Sequence, residues 1–155
     1  HIIHQTGLDL QATKGDWLWK LEVIQRSGQE DSFVALTGGF EYTRVGIFDT
    51  QMDLGFLLEY LFDDRKDRTR IPFQNDVLGG FRLSLNDEQS TAILMGAMVD
   101  RDDQSWSFNL EASRRIGDRW TVEAEARFFE NLDQGNLQFA IKDDDYIQIQ
   151  LSRFF

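Results

Sequence analysis

The chain has 155 residues, with 27 acidic against 16 basic side chains, a formal net charge of -11 and no cysteine. That balance argues against a nucleic-acid surface, which needs a basic face to neutralise phosphates, and the missing cysteines exclude disulfides and thiolate chemistry. No run approaches the roughly 18 apolar residues of a membrane helix. The opening His1-Ile2-Ile3-His4 has neither the basic region nor the apolar core of a signal peptide, so one already removed or an excised piece is expected.

In chain order, apolar residues recur at every second position, the period of a strand with one apolar face. Thr6 to Thr13 alternates through Leu8, Leu10 and Ala12 before a turn at Lys14-Gly15-Asp16. Trp17, Trp19, Leu21 and Val23 follow, with Lys20, Glu22 and Arg26 on the other parity. After a polar loop, Val34, Leu36, Gly38, Phe40 and Tyr42 oppose Glu41, and Leu54, Phe56, Leu58, Tyr60 and Phe62 oppose Glu59. A charged loop covers 63–75, and Val77, Gly79, Phe81, Leu83 and Leu85 then oppose Arg82. Thr91 to Val99 is apolar on both parities. Trp106, Phe108, Leu110 and Ala112 oppose Glu111, and after a tight turn at Gly117-Asp118, Trp120 to Phe128 opposes Glu123, Glu125 and Arg127. A long loop, 130–145, leads to Ile147, Ile149, Leu151, Arg153 and Phe155 on one parity. No segment shows a 3.6-residue apolar stripe, so an all-β meander of about nine strands is predicted.

The alternating stretch Tyr146 to Phe155, stopping on an aromatic residue, resembles the closing strand of a bacterial outer-membrane β-barrel; Arg153 departs from the apolar residue more usual there. The wording DWLWKLE, PFQND, EASRRIGDRW and DDDY is similar to the C-terminal portion of large porin-like proteins. The resemblance implies an antiparallel up-and-down transmembrane β-barrel in a bacterial outer membrane. It also implies Phe155, Leu151 and Ile149 as a signal read by the barrel-assembly machinery, outer-membrane lipid as a partner, and no enzymatic activity. Counted back from the closing strand, the connections tend to alternate long and short, as outside loops and inside turns do. The tendency is uneven, since 45–51 is long for an inside turn and 27–31 short for an outside loop.

Nine strands conflict with the even counts of such barrels. Either residues 1–13 are an arm on an eight-stranded barrel, or they include a first strand and residues 1–155 form part of a larger barrel completed by further strands or a partner chain. The larger barrel is the expectation. A soluble lipocalin-like barrel with the apolar face inward is the competing reading. Aromatic residues near strand ends, among them Trp17, Tyr42, Trp106 and Trp120, favour lipid, where amphipathic rings settle at head-group level.

The polar-parity residues Glu41, Glu59, Arg82, Glu111, Glu123, Glu125 and Arg127 are the candidate lumen lining. In a wide barrel they line a channel for small polar or cationic solutes. In a narrow eight-stranded one they pair across strands, giving a non-conducting structural or interaction barrel. Two histidines, His1 and His4, cannot assemble a mid-chain triad and are expected to be inert. Asp100, Asp102, Asp103 and Asp143 to Asp145 follow no calcium-loop spacing and read as solvated charge crowding the outer mouth. Neither a metal nor a cofactor is expected.

Overall fold

A computed structural model describes residues 2–28, 32–65, 71, 73–132 and 137–155. His1, Pro72 and parts of the three loops at 27–31, 63–75 and 130–145 lie outside them. The expected meander is the observed fold: β1 (His4–Lys14), β2 (Trp17–Ser27), β3 (Phe33–Arg44), β4 (Asp53–Asp63), β5 (Asn75–Ser84), β6 (Ala92–Asp100), β7 (Trp106–Ile116), β8 (Trp120–Glu130) and β9 (Tyr146–Arg153). They make one nine-stranded antiparallel sheet in sequence order. Among the described residues the only helical pieces are 3-10 turns at Ile47–Asp49 and Leu137–Ile141. Residues 4–14 are a strand, not an arm: β1 matches β2 from His4↔Ser27 to Lys14↔Trp17.

Register converts the alternation into two continuous faces, because a one-residue slip would turn every side chain over. Trp17 pairs with Tyr42, Tyr42 with Phe56, Phe56 with Phe81, Phe81 with Met95, Met95 with Leu110, Leu110 with Ala126 and Ala126 with Ile147. That line of apolar partners crosses eight strands without a polar member. Leu10↔Leu21 and Leu8↔Val23 extend the apolar face to β1.

The sheet curves toward its other, polar face. One hollow on that side is touched by residues of β5, β6, β7, β8 and β9, which a flat sheet would not allow. Glycines permit the bending. A Cβ at Gly39 would fall on the Leu58 carbonyl and the Glu59 Cα, and one at Gly80 would sit 2.9 Å from the Met95 carbonyl. Strands approach this closely only where a side chain is missing. Curvature of this sense puts the polar face on the concave side of the sheet and the apolar face on the convex side.

In consequence there is no conventional core. Among the described apolar residues only Ala126 and Leu132 are buried, and no side chain is fully enclosed. Trp19 is 50%, Leu58 44% and Ile149 75% exposed, all on the outer apolar face. The chain exposes 11049 Å², against roughly 8,000 Å² expected for a folded monomer of this mass. No helix among the described residues is long and apolar enough to cross a membrane, a fact that bears on helices alone.

The connections differ at the two ends. One end carries links of two, eight, seven and three residues, and the other carries five, eleven, five and fifteen. The first, tight-turn end is stitched by side chains. Asn86 Nδ2 donates to the Gln51 carbonyl and to Asp53 Oδ2, both at 2.8 Å. The link 85–91, longer than the Asn86–Glu88 turn expected, closes through Leu85 N–H to the Thr91 carbonyl at 3.0 Å. Asp87 accepts the Thr91 N–H at 2.7 Å, and Arg114 on β7 reaches Asp87 Oδ2 at 3.0 Å. At the sheet's margins, among the described residues, β1 pairs only with β2 and β9 only with β8.

Candidate functional site

The seven predicted lumen residues share the inner, polar face. Glu41 pairs across strands with Leu57, Glu59 with Leu78, Arg82 with Leu94, Glu111 with Glu125, Glu123 with Gln150 and Arg127 with Tyr146. Five of them line two hollows that meet at Arg82 and Leu94. The first, of about 530 Å³, is lined by Arg82, Glu111, Glu123 and Glu125, with Gln148 and Gln150 from β9. The second, of about 480 Å³, is lined by Glu41 and Arg82 with Leu57, Leu78, Leu94 and Met98. Glu59 and Arg127 line neither.

Directly opposed carboxylates repel unless something neutralises them. At the Glu111↔Glu125 pair, Arg127 Nη2 lies 2.8 Å from Glu125 Oε1, the Tyr146 hydroxyl donates to the same oxygen, and Asn109 Nδ2 donates to Glu111 Oε1 at 3.0 Å. Lys20 on β2 forms an ion pair with Glu41 on β3. Glu59, Glu123 and Arg82 form no ion pair among the described residues. The first hollow therefore keeps three carboxylates against one lining arginine, and one of the three is compensated by Arg127. Its field is negative, and a low-dielectric wall focuses that field into the hollow.

The second hollow was not foreseen as a site. Its wall is largely leucine and methionine over Gly80 and Gly96, so an apolar patch from Leu57, Leu78, Leu94 and Met98 lies on the inner face of β4–β6, with Glu59 and Arg82 on the same face. The signal was present in the sequence: Leu57 and Leu61 on the polar parity, and a stretch from Thr91 to Val99 apolar on both.

The other singled-out residues fall as follows. His4 begins β1 and is exposed; His1 lies outside the described residues. The Asp100 loop and Asp143 to Asp145 both lie at the long-loop end. Their carboxylates serve the loops. Asp100 Oδ1 accepts the Asp102 N–H at 2.7 Å, Asp103 Oδ1 accepts the Ser105 N–H at 2.8 Å and Asp145 Oδ1 accepts the Phe129 N–H at 2.8 Å. No group of three or more His, Cys, Asp or Glu among the described residues could hold a metal ion. Ile149 and Leu151 lie on the apolar face of β9, with Phe155 fully exposed beyond it.

No protein-family model, no curated protein and no solved structure matches the chain.

Proposed function

We propose that the chain is the strand-built wall of an outer-membrane channel, with its apolar face against lipid and its polar face lining a water path that favours small cations. The observation that supports this best is the exposed apolar face spanning every strand, with almost nothing buried behind it. A water-soluble monomer rarely exposes contiguous apolar surface beyond a few hundred Å². Strands of eight to twelve residues suit a bilayer, which a tilted strand crosses in about 9–11.

The open margins extend the proposal. An odd number of antiparallel strands leaves β1 and β9 running in the same direction, so joining them directly would make a parallel seam. An unpaired margin in hydrocarbon costs several kcal/mol per backbone group. Antiparallel closure needs an odd number of further strands, supplied by another segment or a partner chain. The even total of outer-membrane barrels then follows.

The cation preference rests on Glu111, Glu123 and Glu125 around the first hollow. Under a salt gradient across a planar bilayer, the complete closed protein should give channel steps with a cation-selective reversal potential. The double variant Glu111→Gln, Glu123→Gln should move that potential toward zero, and molar salt should do the same by screening. Anion preference in the unaltered protein would contradict the proposal. A second reading, a non-conducting barrel, is favoured by the ion pairs Lys20–Glu41 and Arg127–Glu125, which knit neighbouring strands. It predicts normal insertion with no channel steps.

A further inference from the structure

The few charged side chains on the apolar face are sorted by sign. Lys14 ends β1, Arg44 ends β3, Arg114 lies two residues before the end of β7 and Arg153 ends β9, so all four lie at the tight-turn end. Register puts them on the apolar face, opposite Trp17, Leu54, Val122 and Trp120 respectively. The only acidic residue on that face within a strand is Glu130, at the far end of β8. A chain with net charge -11 thus keeps a basic rim on one edge of its apolar surface.

Aromatic rings accompany the bases. Trp17 packs against Trp19, Phe40 and Tyr42 with ring centroids 5.6, 5.2 and 4.7 Å away, between Lys14 on one side and Arg44 on the other. The Arg153 guanidinium lies 5.4 Å from the Trp120 ring and 4.9 Å from that of Phe155. Arg114 is occupied by Asp87, whereas Lys14, Arg44 and Arg153 are exposed and form no ion pair among the described residues. Of the acids at this end, Asp16, Asp49 and Asp118 sit in the turns beyond the strands, and Asp53 begins β4 on the polar face. Three unpaired cations beside a belt of amphipathic rings match one surface in charge and geometry: lipid phosphate above acyl chains. Long basic side chains lay their stems on apolar surface and lift the charge to that level, and rings occupy the layer just below.

We infer that the tight-turn rim of the apolar face selects anionic phospholipid head groups through Lys14, Arg44 and Arg153. The inference rests on the membrane reading and adds a lipid class and a side to it. Tryptophan fluorescence measures it. The full chain is reconstituted in phosphatidylcholine containing either brominated phosphatidylglycerol or brominated phosphatidylcholine with the same acyl chains, and quenching gives the relative affinity of the two at each ring. In the variant Trp106→Phe, the remaining Trp17, Trp19 and Trp120 report the tight-turn rim. There the anionic lipid should be preferred by about threefold or more. In the variant with Trp17→Phe, Trp19→Phe and Trp120→Phe, Trp106 reports the other rim and should show no preference. Replacing Lys14→Gln, Arg44→Gln and Arg153→Gln in the otherwise unaltered chain should abolish the excess while leaving quenching by brominated phosphatidylcholine unchanged, which separates lost selection from lost insertion. Equal quenching by both lipids at the tight-turn rim of the unaltered charges overturns the inference while the membrane reading stands. No quenching by either lipid at any tryptophan overturns both.

Discussion

The two faces share the same strands and the same register, yet one is uniform and the other divided. On the outer face, apolar residues meet apolar residues from β1 to β9, and charge is confined to the ends. On the inner face, the carboxylates Glu111, Glu123 and Glu125 of β7 and β8 adjoin a patch of leucine, methionine and glycine on β4–β6, where Glu59 and Arg82 are the charges among the seven. A face against a featureless solvent such as acyl chains has one requirement, repeated at every position. A face enclosing a passage has local requirements, and local sequence meets them. The contrast makes opposite demands on neighbouring residues, so substitution can test it.

The largest effect should come from a charge in the middle of the outer face. Leu110 lies centrally on β7 between Met95 and Ala126. Leu110→Arg should weaken folding into vesicles by about 2–4 kcal/mol, the cost of arginine near a bilayer midplane. The adjacent Glu111→Gln on the inner face should change it by less than about 0.5 kcal/mol. Urea titration of vesicle-bound chain compares the two, and equal losses would erase the distinction between faces.

Curvature gives the next effect. Gly39→Val drives a branched side chain into β4, where even a Cβ meets backbone. A loss of about 1–3 kcal/mol is expected, the range for overpacking a close contact. Gly7→Val, on the same face of β1 with its nearest neighbour atom 3.9 Å away, should be tolerated. The same titration checks both.

The smallest effect is a pH dependence at the tight-turn end. The Thr91 N–H holds the Asp87 carboxyl below its ordinary value, with the Thr91 hydroxyl and Arg114 acting in the same sense. A depressed carboxylate contributes stability that is complete above its unfolded value of about 3.9 and is lost as pH falls through the folded value. After correction for the intrinsic pH dependence of exchange, Thr91 amide protection should therefore decline only below about pH 4, and Asp87→Asn should remove that decline.

How much of this was legible depended on whether a feature was periodic. Eight strands were readable because alternation repeats in each of them, β6 was apolar on both parities and was marked only by the turns that bound it, and the seven inner-face residues followed from parity alone. Register was not legible in the same way, because parity is unchanged by a two-residue shift and pairings such as Trp17↔Tyr42 and Phe56↔Phe81 are fixed only in the sheet. The inner apolar patch escaped because it violates the alternation: Leu57, Leu78, Leu94 and Met98 occupy polar-parity positions, and only cross-strand pairing shows that they adjoin. The basic rim escaped for a different reason. Lys14, Arg44, Arg114 and Arg153 are far apart in sequence, and each alone looks like an ordinary strand-end charge. Sequence also leaves closure open, because parity does not say what pairs with β1 and β9 at the margins.

The central claim is that adjacent residues of one strand face lipid and water in turn, and β4 offers the most direct measurement. Leu58 and Glu59 sit at its middle, on the outer and inner faces. Single nitroxide labels at the two positions, in the protein inserted into vesicles, are relaxed by oxygen from the lipid side and by a water-soluble nickel chelate from the aqueous side. The account predicts that the label at 58 is relaxed chiefly by oxygen and the label at 59 chiefly by the chelate. Equal response to both agents at the two positions, or the reverse assignment, would contradict it.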